Sequence, residues 1–159
     1  MTKASLFLTI NLIILSVLFS SSSTATVKLP PEQLLEQLLE KHKGEVVYLD
    51  FWASWCTPCR HSFPWLNAMQ ETYQAQGLRV ISVNLDANYE LATKFLKESP
   101  TLFSVVFDPK GKTAKIYNVR GMPTSYLIDR SGVIVKSHTG FFPKKIPEYE
   151  NEIKQLLAK

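Results

Sequence analysis

One short stretch limits the fold more than any other. Val46-Val47-Tyr48-Leu49-Asp50-Phe51-Trp52 is almost wholly apolar, and Trp55-Cys56-Thr57-Pro58-Cys59 follows it at once. A run with so little alternation reads as a strand covered on both faces, hence central in its sheet. The helical stretch after it starts at Cys56 or Pro58 and ends near Gln76, with Phe63, Leu66, Met69 and Tyr73 on its inner face and Gly77 as its stop. The chain therefore places its only two cysteines, two residues apart, at a strand-to-helix turn. Two cysteines cannot form a multi-disulfide scaffold, so stability must come from a packed core.

The remaining pattern supplies that core. Pro31 suits a first helical turn, and Leu34, Leu35, Leu38 and Leu39 recur on one helical face ahead of Gly44. Leu78 to Leu85 reads as a second strand. Asp86 and Asn88 precede a helix from Tyr89 to Lys97, and Phe103 to Phe107 reads as a third strand or edge element. Asp108-Pro109-Lys110-Gly111 is a turn, since proline pre-sets one backbone angle and glycine accepts unusual ones. A short helix over Thr113 to Tyr117 precedes two strands, Thr124 to Asp129 and Val133 to His138. Arg130-Ser131-Gly132 joins them as an antiparallel hairpin. Ile146 to Leu157 closes the chain as an amphipathic helix with Tyr149, Ile153, Leu156 and Leu157 inward. Pro64 falls inside the second helix and is expected to kink it. Alternating helices and strands followed by a hairpin and helix predict an α/β fold. Its mixed sheet is parallel in the first half, with helices on both faces.

The 159 residues carry a net charge of +4, with lysines scattered rather than clustered, which excludes a nucleic-acid patch. At the N-terminus, Lys3 is the only charge before Lys28. Leu6 to Phe19 is apolar but for Thr9, Asn11 and Ser16, and Ser20 to Ala25 are small residues. Residues 1–25 read as a secretory signal peptide cut after Ala25, leaving 26–159 as one exported domain. The alternative is an uncleaved anchor, the only route to membrane contact. An apolar stretch of about 14 residues falls short of the roughly 20 that span a bilayer.

Chemistry then narrows the cysteine pair. A structural disulfide closing so short a loop stabilises little. Zinc wants four ligands, and beyond the cysteines there are only His42, His61 and His138, so no metal site is expected. Covalent haem attachment needs histidine directly after the second cysteine, where Arg60 stands. What remains is thiol–disulfide exchange, in which a thiolate attacks a disulfide sulfur. Cys56, at the helix N-terminus, is the expected attacker, because unpaired N–H groups and the helix dipole favour an anion there. Cys59, a turn further in, is expected to be less exposed and to resolve the mixed disulfide. Thr57 and Pro58 should help set the redox potential, and Arg60 should favour a thiolate. Asp50 allows two readings: a buried carboxyl relaying a proton to or from Cys59, or a residue that ends the strand and caps the next loop. Pro123 in Gly121-Met122-Pro123-Thr124 reads on its own as an ordinary strand start, since few X–Pro bonds are cis.

The stretch Val47 to Cys59 closely resembles the active-site segment of the thioredoxin superfamily. Val119-Arg120-Gly121-Met122-Pro123-Thr124-Ser125-Tyr126-Leu127-Ile128-Asp129-Arg130-Ser131-Gly132 resembles that family's cis-proline segment. With the export signal, the whole resembles the TlpA/ResA/CcmG-like thioredoxins of the bacterial envelope. The resemblance implies a thioredoxin-like three-layer α/β/α sandwich, with Cys56 as nucleophile, Cys59 as resolving cysteine and Asp50 as buried acid/base. It implies a cis Met122-Pro123 bond facing the pair, with Trp55, Met122, Pro123 and Thr124 against substrate. The segment from Asp86 to Phe107 resembles the extra helix–strand element of the TlpA-like branch. Thr124 stands where the cytochrome-c-maturation branch carries an acidic residue, so a general reductase of envelope protein disulfides or apocytochromes is expected. No cofactor is implied beyond the Cys56–Cys59 disulfide, and a membrane electron donor of the DsbD/CcdA type is. An oxidant or isomerase, and a non-catalytic binding module, are the competing readings.

Overall fold

The computed structural model describes residues 29–159; the expected signal peptide lies outside the described residues. Leucines at helical spacing build α1 (Pro31–Lys41), with Pro31 at its first position and the Pro30 carbonyl taking the N–H groups of Gln33 and Leu34, each at 3.0 Å. β1 (Val46–Trp52) is buried at every residue. α2 (Thr57–Tyr73) runs unbroken through Pro64, which lies on its exposed side, and a 3-10 turn (Gln74–Gln76) ends at Gly77. Gly77 has φ +94°, a left-handed conformation that favours glycine, and a Cβ there would stand 2.9 Å from Arg130 Nη1 and displace the end of that side chain.

β2 (Leu78–Asn84), α3 (Tyr89–Glu98), β3 (Ser104–Phe107) and α4 (Lys112–Ile116) follow. Asn88 caps α3 by accepting from Glu90 N at 2.8 Å. Asp108, at the head of the expected turn, is fully buried. Its carboxylate takes the N–H groups of Lys112 and Thr113 at 3.0 and 2.7 Å, and the Thr113 hydroxyl, and so starts α4. β4 (Thr124–Ile128) and β5 (Ile134–Thr139) form the hairpin, and α5 (Ile146–Leu157) closes the chain.

The sheet order is β3-β2-β1-β4-β5, with β1 central. β1 pairs in parallel with β2, and β2 with β3; β4 runs antiparallel to both β1 and β5. This is the mixed sheet the element order predicted, in an α/β thioredoxin-like fold. Period-2 alternation splits the strands between two cores. Val46, Tyr48 and Trp52 join residues of α2, α3 and α5 on one face. Val47, Leu49, Phe51, Ile81 and Val83 join α1, α4 and Val106 on the other.

Parallel pairing brings the ends of β1, β2 and β3 to one end of the sheet, where β4 begins and β5 finishes: Trp52 lies beside Asn84, Asn84 beside Phe107, Phe51 beside Thr124, and Thr124 beside Thr139. The cysteines sit at that end. At the opposite end Arg130 donates to the carbonyls of Gly44 (2.9 Å), Leu157 (3.2 Å) and Gln76 (3.3 Å), tying the hairpin to three other segments.

Candidate active site

Cys56 is the N-cap of α2, and its sulfur accepts from Cys59 N at 3.3 Å. The two sulfurs are joined at 2.00 Å, so the structure holds the oxidised form. Burial is graded as expected: Cys59 is 0 % exposed and Cys56 is 6 % exposed, at the rim. Reduction would leave Cys56 Sγ at a helix N-terminus beside an N–H donor, where an anion is favoured. Thr57 and Pro58, between the cysteines, are exposed, and so is Trp55 just before them, at 67 %. The Arg60 guanidinium lies over the Phe95 ring at 5.0 Å and reaches Ser54 O at 3.4 Å.

Asp50 does not end its strand. β1 continues two residues past it, which removes the capping alternative. Alternation puts its side chain on the face of Tyr48 and Trp52, the face α2 and Cys59 cover. Ser82 and Ser125 flank it across the sheet, and their hydroxyls are engaged elsewhere, by Trp52 Nε1 at 3.2 Å and the Tyr48 hydroxyl at 2.8 Å. Asp50 Oδ2 is buried with no hydrogen-bond partner. Burial pushes its carboxyl well above the usual aspartate range. The Tyr48 phenol is pushed up as well, by burial and then by the Asp50 charge. A protonatable group without a fixed partner thus lies in the layer that holds Cys59.

The opposite wall is the turn before β4. The Met122-Pro123 bond is cis, as the resemblance implied and against the reading of the residues alone. Pro123 is buried, and its carbonyl accepts from Gly140 N at 2.7 Å. Among the described residues none hydrogen-bonds to the Met122 backbone, so this strand start offers an unused N–H and C=O at the end of the sheet that carries the cysteines. Thr124 is placed differently from its neighbours. Its pairing with Phe51 turns its side chain to the other face, and its hydroxyl donates to Gly121 O at 2.7 Å. Only its backbone is available to a substrate.

A cluster that no sequence pattern announced holds the cysteine loop. The buried Asp86 carboxylate accepts from Ser54 N (2.8 Å), the Ser54 hydroxyl (2.9 Å) and Asn84 Nδ2 (2.6 Å). These bonds anchor the residue preceding Trp55 to the end of β2. Ser54 and Asn84 look unremarkable in sequence, 30 residues apart, and only strand pairing joins them. Among the described residues there is no group of three or more His, Cys, Asp or Glu side chains that could hold a metal ion.

Residues 22–153 match the redoxin family model. The chain belongs to the redoxin family. This redoxin is 33% identical over 110 residues to the thiol-disulfide oxidoreductase ResA of Geobacillus thermodenitrificans, covering 69% of its own chain and 63% of that relative. It is 30% identical over 151 residues to the sporulation thiol-disulfide oxidoreductase A of Bacillus subtilis, covering 88% and 92% of the two chains. Among solved structures it is 54% identical to a Chlorobium tepidum protein assigned as the thiol:disulfide interchange protein DsbE, with a TM-score of 0.73 over 75% of this chain and 84% of that one. The redoxin thus sits among TlpA/ResA/CcmG-like members of the thioredoxin superfamily.

Proposed function

We propose that this redoxin is an exported thiol–disulfide oxidoreductase that reduces disulfides in envelope proteins or apocytochromes. The observation that carries the reading is a Cys56–Cys59 disulfide closed at a helix N-terminus, with Cys56 at the rim and Cys59 wholly buried. In the reduced enzyme the Cys56 thiolate attacks a client disulfide. A mixed disulfide forms and one client thiolate leaves. Cys59 gives up its proton, for which the buried Asp50 carboxylate on the same face is the assigned acceptor, and attacks Cys56 Sγ. That step closes Cys56–Cys59 and releases the client dithiol, so two electrons pass to the client. A client chain lying along Met122 and Pro123 presents its disulfide to Cys56, with Trp55 bordering the sulfur.

The disulfide is the only redox group the reaction needs. A membrane donor of the DsbD/CcdA type would restore the dithiol, by resemblance, and residues 1–25 would direct export. No helix among the described residues is long and apolar enough to cross a membrane. The test is Cys59→Ser, exposed to envelope extract. It is expected to accumulate mixed disulfides through Cys56, and mass spectrometry of the adducts identifies clients and donor together. If nothing becomes attached, the two cysteine roles are wrong. Direction is decided by the reduction potential, since 30 mV is about 1.4 kcal/mol for a two-electron couple; a value among strong oxidants overturns the reductive assignment.

A further inference from the structure

The segments converging on the redox end carry a one-sided charge. They are the loop after β1, the start of α2, the loops after β2 and β3, the turn before β4, and the segment after β5. Their exposed charged residues, with the first turns of α2 and α4 included, are Arg60, Lys110, Lys112, Arg120, Lys144 and Lys145, all cations, while the first turns of α3 and α5 bring Glu90 and Glu148. Lys112 is paired with Glu32 at 3.1 Å and Lys145 with Glu148 at 3.7 Å. Arg60, Lys110, Arg120 and Lys144 have no carboxylate partner among the described residues. The loop carboxylates, Asp86 and Asp108, are buried and bonded to loop and helix groups. Glu90, in the first turn of α3, is the nearby exposed acid without an ion pair.

The opposite end mixes both signs: Asp129, Glu40 and Glu45 stand with Lys41, Lys43, Arg79 and Arg130, whose guanidinium is held by carbonyls. Glu45 holds Arg79 at 2.8 Å and His42 at 2.7 Å, and Glu40 holds Lys43 at 3.2 Å. The asymmetry is invisible in net charge, because the scattered cations reach one end only when the sheet assembles.

Apolar surface sits inside this cationic rim. Trp55, next to Cys56 in the chain, is exposed, and Phe142, in the segment after β5, is 54 % exposed. The Phe142 ring lies over Gly140, where a Cβ would come within 3.0 Å of it, and Gly140 is bonded to Pro123. The ring is thereby held beside the cis-proline turn. Strands are about 4.8 Å apart, so the loops after β3 and β5 lie about 10 Å to either side of β1. That is close to the Debye length of about 8 Å at physiological salt, so the cations act on whatever approaches the sulfurs.

We infer that the redox end is a docking surface for acidic polypeptide: client segments whose disulfide is flanked by Asp and Glu and by an apolar side chain. The inference rests on the thiol–disulfide reading above and narrows its substrate class. Acidic flanks meet the cations at the rim, the apolar side chain packs on Trp55 and Phe142, and the client disulfide meets Cys56. Complementary charge of this kind raises encounter rates, most at low salt. Chemistry at sulfur is unchanged: the client disulfide gains two electrons and two protons, and Cys56 and Cys59 lose them.

The experiment uses the reduced protein and two synthetic peptides with the same internal disulfide and the same neighbouring Leu. One is flanked by Glu and the other by Lys. Second-order rate constants are measured at 20 mM and 500 mM salt. The Glu peptide is expected to react about tenfold faster at low salt, with the gap closing at high salt. Arg120→Glu with Lys144→Glu should abolish or invert the preference. Lys41→Glu, in the last turn of α1 away from this end, changes net charge without moving it. Equal rates, a faster Lys peptide, or the same loss of preference in Lys41→Glu overturns the docking surface while leaving the oxidoreductase standing. Reduction of neither peptide overturns the oxidoreductase reading and this inference with it.

Discussion

The two faces of β1 are built from one strand and are equally buried, yet they differ in kind. Toward α1 and α4 the strand presents Val47, Leu49 and Phe51, which pack with Ile81, Val83 and Val106 in an aliphatic and aromatic layer. Toward α2 and α5 it presents Tyr48, Asp50 and Trp52, with Ser82 and Ser125 alongside. Burying polar groups costs stability unless each is bonded, and here most are. Tyr48 pairs with Ser125 and Trp52 with Ser82, leaving Asp50 Oδ2, and Trp65 Nε1 from α2, as the exceptions. The apolar face supports the strand; the polar face carries the groups that chemistry at Cys59 can use. An unpartnered carboxyl in such a layer costs stability and is therefore a candidate for function.

The largest effect expected on the polar side is from Cys56→Ser, which should reduce insulin-type disulfide reduction to the uncatalysed rate; residual turnover would move the nucleophile elsewhere. On the other face, Leu49→Ala should destabilise by about 2–5 kcal/mol in urea unfolding, because it empties a fully buried site. Exchange per folded molecule should keep its rate. If that rate falls in step with stability, the separation of faces is false.

Asp50→Asn should slow exchange by about 10²-fold and yet stabilise the fold. Burial keeps the Asp50 carboxyl protonated at pH values where an exposed aspartate has ionised. The folded state then holds a proton that the unfolded chain has released. Wild-type stability therefore falls as pH rises from about 4, the ordinary aspartate value, to the raised folded value. Asn lacks this loss, so unfolding midpoints of variant and wild type should coincide below about pH 3 and separate at neutral pH with the variant higher. Parallel curves would mean that Asp50 is solvated in solution. The smallest effect is that of Tyr48→Phe, about 1 kcal/mol from the 2.8 Å bond to Ser125, and a neutral result would show that water replaces it.

Much of this was legible in the sequence because periodicity is local. The unalternating run marked β1 as central, the leucine spacing marked α1, and the cysteine spacing against a strand and a helix marked the redox turn. Asp50 stood out as one carboxylate in an apolar strand, although spacing alone did not separate relay from cap; the continuation of β1 to Trp52 shows that Asp50 does not end its strand.

Other features depended on which strands become neighbours. β1 is joined to β2 some 30 residues on and to β4 more than 70 residues on. That pairing turns the Thr124 side chain away from the cysteines, brings Asp86 to Ser54, and seats Arg130 on three distant carbonyls. It also gathers Arg60, Arg120 and Lys144 at one end. By itself the sequence determined the elements, the dithiol and its position at a helix N-terminus, since these follow from residue type and spacing along the chain. Tertiary structure alone decided which side chains share a face, which carboxylates are occupied and where the charge collects, because those depend on contacts between segments that no local pattern encodes.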